Sequence, residues 1–234
     1  MTARARHSTS PFRSITKKEQ MSKTKESDEI IAIVDDDLSA REGLGSLIRS
    51  AGLRVETFAS ADEFLARPAG ETPSCLVLDL QMPGLSGLDL QKRLAEVGLE
   101  IPIVFLTGHG SIPASVQAIK GGAVEFLTKP FDEQDLLRAI QEAIERDRTT
   151  RQRNTDLRDL RERCESLTGR EREIMQQVVS GLLNKQIAAE LKISEYTVKI
   201  HRGHVMRKMR ADSVADLVRM ADSLGIRPRT DPRS

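Results

Sequence analysis

Apolar positions follow two different rhythms along the chain, and the rhythm changes near residue 148. Before that point, short uniformly apolar runs alternate with stretches whose apolar residues recur every three or four positions. Residues 30–34, 75–78, 101–106 and 124–128 read as buried strands, and 55–58 as a shorter strand-like piece. Residues 39–51, 87–96, 113–120 and 133–146 read as amphipathic helices. In the first of these, Leu44, Leu47, Ile48 and Ala51 share a stripe that Gly52 ends. Apolar strands alternating with helices predict a doubly wound, five-stranded parallel sheet covered on both faces.

Beyond residue 148 no strand pattern recurs. Leu157, Leu160, Cys164 and Leu167 are spaced 3–4–3 within a strongly charged stretch, which predicts a helical linker over 148–166. That linker is either solvated or paired through its stripe with a partner or a second copy. Thr168-Gly169-Arg170-Glu171 is a capping box opening a helix with an apolar face at Ile174, Val178 and Val179, and Gly181 closes it. Residues 184–191 form a second helix, Ser194 caps a third running to about Met209, and 213–224 make a fourth. The tight Lys192-Ile193-Ser194 turn joining the second and third reads as a helix-turn-helix.

The strand ends carry the candidate chemistry. Asp35 and Asp36, Asp79, Thr107 and Lys129 each lie just past the carboxyl end of a predicted strand, where open parallel sheets form their ligand crevice. Crowded carboxylates repel one another unless a cation sits among them, and hard oxygen ligands favour Mg²⁺. With a lysine and a hydroxyl beside them, this inventory suits phosphoryl transfer to a carboxylate. The run Asp35-Asp36-Asp37 is no calcium loop, because its sixth position is Ala40 where glycine is required. His109 reads as a plain loop residue, Cys75 as core, and Gly121-Gly122 as a helix end.

Charge sharpens the division. The chain totals +1, but residues 1–27 carry +5, 28–147 carry −11 and 148–234 carry +7. After Phe131 the only aromatic is Tyr196. Two cysteines exclude a disulfide framework or a four-cysteine zinc cage and fit a reducing, cytoplasmic setting. No apolar run approaches the ~20 residues a membrane helix needs. The basic, Ser/Thr-rich first 27 residues, and residues 227–234, read as tails without order. Met21 is an alternative start.

The segments IAIVDDD, LVLDLQMPGLSG, IVFLTGHG and AVEFLTKPF resemble the receiver domain of two-component response regulators, over roughly 28–147. The resemblance implies a flavodoxin-like fold with Asp79 as phosphoacceptor. It also implies Mg²⁺ (or Mn²⁺) held by Asp36, Asp79 and the backbone carbonyl of Gln81, with Asp35 close by. Thr107, Lys129 and Phe126 would be the switch residues, with Thr107 moving toward the phosphoryl group and Phe126 filling the vacated space. The Lys129-Pro130 peptide would be cis. No enzyme activity is implied beyond self-phosphotransfer and autodephosphorylation.

The third helix of the second half holds Lys199, His201, Arg202, His204, Arg207 and Lys208. Val198, Val205 and Met209 supply its core stripe, leaving Ile200 without a structural reason beside Lys199 and Arg202. In a major groove, Ile200 could meet a thymine methyl while Lys199 reaches base or phosphate acceptors. Arg207 and Lys208 would hold phosphate, and Gly203 would let backbone approach DNA closely. His201 and His204 are set aside as metal ligands, because their i,i+3 pair comes with no further ligand nearby in sequence.

LTGREREIMQQVVSG, NKQIAAELKISEYTVKIHRGHVMRKM and SVADLVRMADSLGI resemble the LuxR-type four-helix DNA-binding domain. Combined with the receiver, the chain is similar to FixJ-like members of the NarL/LuxR response regulators, with the DNA-binding domain over 167–226. The resemblance places Asn184, Lys185 and Thr197 among the DNA-facing positions alongside Lys199, Ile200, Arg202, Arg207 and Lys208, whereas Gly203, which also faces DNA in this reading, departs from members with a lysine there. It implies a cognate histidine kinase, promoter double-stranded DNA, RNA polymerase and a homodimer as partners, with activation the expected outcome. Two rivals remain: a haloacid-dehalogenase-like phosphatase with Asp35 as nucleophile, which lacks its late acidic pair, and a signalling adaptor that binds no DNA.

Overall fold

The computed structural model describes residues 29–68, 70–108 and 112–226, so both tails and His109 lie outside the described residues. The chain divides into two units, residues 1–148 and 149–234.

In the first unit, β1 (Ile30–Val34), β2 (Arg54–Phe58), β3 (Cys75–Asp79), β4 (Ile103–Thr107) and β5 (Glu125–Thr128) form one parallel sheet ordered β2-β1-β3-β4-β5. Every residue of β1, β3 and β4 is buried, which explains why these strands read as unbroken apolar runs. The register sets Val34 beside Leu78, and Asp79 beside Leu106, so the ends of β1, β3 and β4 emerge along one edge.

Helices α1 (Leu38–Ser50), α2 (Ala61–Leu65), α3 (Gly87–Glu96) and α4 (Ile112–Lys120) connect the strands. The apolar pattern missed α2. It has five residues and buries only Ala61 and Phe64, too short a stretch for a helical period to show, although Ser60 caps it. Asp37 accepts from the backbone N–H of Ser39 and Ala40, so the third aspartate of the run is the N-cap of α1. The Lys129-Pro130 peptide is cis, as the resemblance implies.

One helix, α5 (Glu133–Glu165), covers both the predicted final helix of the first half and the charged stretch after it. Nothing between residues 147 and 165 breaks a helix: there is no Gly or Pro, and ion pairs such as Arg148–Glu145 at 2.7 Å support the exposed turns. Leu136, Ala139, Ile140, Ala143 and Ile144 bury against the sheet; each fully buried Leu or Ile contributes about 1.5–3 kcal/mol. Leu160 joins the core of the second unit together with Leu167, and Cys164 packs against that core.

The second unit contains α6 (Gly169–Val179), α7 (Asn184–Leu191), α8 (Glu195–Met209) and α9 (Val214–Ser223). Both bonds of the Thr168/Glu171 capping box are present, and Ser194 caps α8 through the Thr197 N–H. Val198, Val205 and Met209 are completely or almost completely buried, as their spacing requires. Lys192 turns the chain from α7 to α8 in the left-handed conformation, at φ 52°.

Candidate functional site

The edge of the sheet gathers two of the three predicted carboxylates, Asp35 and Asp79, around one ammonium. Lys129 Nζ donates to Asp35 Oδ2 at 2.8 Å and to Asp79 Oδ1 at 3.0 Å, joining residues 94 and 50 positions away in sequence. Asp35 Oδ1 accepts from the Asp37 N–H, and Asp79 Oδ2 from the Gln81 N–H at 2.8 Å. Asp35 is 2% exposed and Asp79 7% exposed, whereas Asp36 faces solvent at the mouth.

Burial raises the Asp79 carboxyl above its ordinary value, against the opposing pull of Lys129 and with a further push from Asp35. Burial alone would lower Lys129, but its hydrogen bonds to Asp35 and Asp79 outweigh that and raise it. Two buried carboxylates thus face a single ammonium, which leaves negative charge in excess. A small cation held by carboxylate oxygens would relieve it. The carboxylates of Asp35 and Asp79, with the exposed Asp36 beside them, are hard-oxygen donors of the chemical kind that Mg²⁺ takes.

Thr107 is fully buried at the end of β4, and its carbonyl accepts from the Lys129 N–H at 2.7 Å. A displacement of either backbone is therefore passed to the other. Phe126 sits opposite Phe105 in the β4/β5 register, half-buried, with ring centroids 6.3 Å apart. Cys75 is buried in β3, and burial pushes its thiol up, away from the reactive thiolate.

Two contributors escaped the sequence pattern. Arg41 donates to the Asp35 carbonyl at 2.6 Å, pinning the loop that carries the acidic run. Gly87 opens α3 directly beneath the site: a Cβ there would lie 2.4 Å from the Asp79 carbonyl oxygen and 3.1 Å from Phe105. A glycine at the first position of a helix whose N-cap is already supplied by Ser86 was the available signal. Gly87→Ala is expected to destabilise the first unit by about 1–3 kcal/mol. Melting at the wild-type temperature would contradict the close approach.

The helix-turn-helix presents a separate surface. Lys185, Lys199, Ile200, Gly203 and Arg207 are exposed, and Ile200 keeps 42% of its surface in solvent. Asn184 and Arg202, predicted to face DNA, meet each other, with the guanidinium donating to Asn184 Oδ1 at 2.8 Å. Thr197 is engaged with the Ser194 hydroxyl at 2.8 Å.

Lys208 differs from its expected role on phosphate. Its Nζ donates to Glu171 Oε2 at 2.7 Å and to the Ser166 carbonyl at 3.1 Å. Glu171 is 3% exposed, and a carboxylate so buried requires a counter-charge, which this lysine supplies. Lys208, helped by the Thr168 N–H, holds the Glu171 carboxyl down to about 2. A carboxyl lowered on folding stabilises the fold above its ordinary pKa, and that stability disappears as pH falls from about 4.5 toward 2. Glu171→Gln should therefore lower the melting temperature of the second unit at neutral pH, by about 4–8 °C for each kcal/mol lost. The gap between wild type and variant should close on acidification through that window. A gap independent of pH would show that the ion pair does not carry the effect.

Two family models match the chain. One described as "Response regulator receiver domain" covers residues 31–141, and one described as "Bacterial regulatory proteins, luxR family" covers 165–221. The chain is 53% identical over 197 residues to nodulation protein W of Bradyrhizobium diazoefficiens, spanning 84% of this chain and 87% of that one. To the transcriptional regulatory protein FixJ of the same species it is 40% identical over 196 residues, spanning 84% and 96%. Among solved structures, response regulator StyR is similar at 48% identity and a TM-score of 0.74, covering 83% of this chain and 98% of that one. No helix among the described residues is long and apolar enough to cross a membrane.

Proposed function

The chain belongs to the two-component response regulators that join a receiver domain to a LuxR-type DNA-binding domain, and from that premise we propose that Asp79 is its phosphoacceptor. Its family makes it a transcriptional regulator that takes its signal from a histidine kinase and binds DNA. The observation supporting Asp79 is its place at the end of β3, buried and bonded to Lys129, beside Asp35.

In the proposed reaction, an Asp79 carboxylate oxygen attacks the phosphorus of a phosphohistidine. The P–N bond breaks and an acyl phosphate P–O bond forms. Lys129 pairs with Asp79 at rest and then turns its charge to the phosphoryl oxygens. The Gln81 N–H holds the other carboxylate oxygen in place. Asp36, Asp79 and the Gln81 carbonyl would hold Mg²⁺ (or Mn²⁺), with Asp35 behind them; the ion supplies charge neutralisation on the transferring oxygens. Water attack on the same acyl phosphate is the autodephosphorylation that resets the protein.

Phosphorylation adds acceptor oxygens and about one further negative charge to Asp79. Thr107 and Lys129 gain a common partner, and their shared backbone hydrogen bond makes the two loops move together. Phe126 then turns into the space that Thr107 leaves, changing the outer surface of β5 and its neighbouring helices. We assign to that altered surface homodimerisation, followed by promoter binding through α8 and activation by way of RNA polymerase.

The test is duplex-DNA affinity with and without a small phosphodonor and Mg²⁺, across a series of salt concentrations. Coupling of the usual size predicts about 5- to 150-fold tighter binding with phosphodonor. It also predicts a steep loss of affinity as salt rises. Equal affinities in the two states would reject phosphorylation control. Salt-independent or absent DNA binding would favour the adaptor reading.

A further inference from the structure

We propose that Glu171, His201 and His204 form a binding site for a divalent transition-metal ion, Zn²⁺ foremost. His201 and His204 lie one turn apart on α8, and α6 brings Glu171 to them from 30 or more positions away in sequence. One ligand atom from each of the three falls within 4.8 Å of the other two. The His204 Nδ1 to Glu171 Oε1 distance is 3.4 Å. Zinc bonds of about 2.0–2.1 Å in a tetrahedron place neighbouring ligands roughly 3.4 Å apart, so this pair already stands at a coordination edge. The two imidazoles meet edge to face with centroids 6.2 Å apart.

A second observation concerns His201 itself. Its Nδ1 is buried and meets no hydrogen-bond partner among the described residues. Such an atom has lost its hydrogen bond to water without gaining another, and a bound ion is one group that replaces it. Lys208 does not occupy the proposed ligand position, since it bonds Glu171 Oε2 whereas His204 faces Oε1. Two imidazoles and one carboxylate are a borderline nitrogen–oxygen set that favours Zn²⁺ over Mg²⁺ or Ca²⁺. His204 keeps 44% of its side chain in solvent, which leaves an entry path and room for water as a fourth ligand. A bound ion would staple α6 to α8, the helix that carries Lys199 and Ile200.

Co²⁺ is the probe. The full-length protein, stripped with a chelator, is titrated with Co²⁺ in excess Mg²⁺, which fills hard-oxygen sites. One equivalent should bind with the intense visible absorption of a four-coordinate, nitrogen-containing site, and Zn²⁺ should displace it. His204→Asn, at a partly exposed position, should weaken binding at least about tenfold. It should leave the circular dichroism and metal-free melting temperature unchanged. Zn²⁺ should raise the melting temperature of the wild type but not of that variant. Either a faint six-coordinate spectrum alone in the wild type, or unaltered Co²⁺ affinity in His204→Asn, would overturn the site; the second would place the ion at another group, such as His7 or His109.

Discussion

Asp79→Asn should take up no phosphate from a small phosphodonor in the presence of Mg²⁺, while the wild type forms one acid-stable, base-labile acyl phosphate. Asparagine preserves the shape of the side chain and can keep the Gln81 N–H bond, but it has no carboxylate to attack phosphorus. The loss should be complete, because the remaining carboxylates are placed for other tasks: Asp35 is held on both oxygens by Asp37 and Lys129, and Asp36 lies in solvent. Stability should not fall with it. Burial raises the Asp79 carboxyl, so this group stabilises the fold below its ordinary pKa and that contribution is lost as pH rises through the raised value. At neutral pH a neutral isostere should therefore match or exceed the wild-type melting temperature. Mg²⁺ should raise the wild type more than the variant, since the ion loses one of its oxygens. Full labelling of Asp79→Asn would refute the assignment. A collapsed melting temperature would mean that the carboxylate holds the fold together.

Lys199→Ala should weaken binding to a preferred duplex by about 1–3 kcal/mol, or roughly 5- to 150-fold, and leave phosphate uptake at Asp79 untouched. The side chain is exposed on α8 next to Ile200. The form of the loss identifies the contact. A phosphate contact would lower affinity for all sequences and reduce the salt slope by about one. A base contact would relax preference at one position with the slope little changed. Affinity within twofold of wild type, for a duplex enriched from random sequence, would remove Lys199 from the interface. Arg202→Ala serves as a contrast, because that guanidinium already bonds Asn184 and its removal should cost folding stability as well.

Much of this was legible in the amino-acid order. Buried parallel strands must be apolar throughout, so 30–34 and 75–78 declare themselves, and capping residues such as Thr168 and Ser194 mark helix starts within a residue. The carboxylate–lysine edge was legible for a related reason: residues that follow parallel strands converge wherever the sheet ends. Short and uniform segments were not. The five-residue α2 has too few turns to show a period, and α5 conceals a change of unit because a helix without Gly or Pro continues across a change in composition.

The order of residues by itself determined the two halves, the parallel sheet, the carboxylate–lysine edge and the cationic recognition helix. Each depends on local periodicity or on a rule of chain direction. The tertiary structure alone decided which partner each charge took. Lys208 left the predicted phosphate face for Glu171, Arg202 turned to Asn184, Gly87 was set against the Asp79 carbonyl, and His201 and His204 acquired a carboxylate from another helix. Such pairings follow from distances across packed elements. Sequence spacing encodes distance only within a helix or strand, and burial makes a charge seek its nearest partner in space.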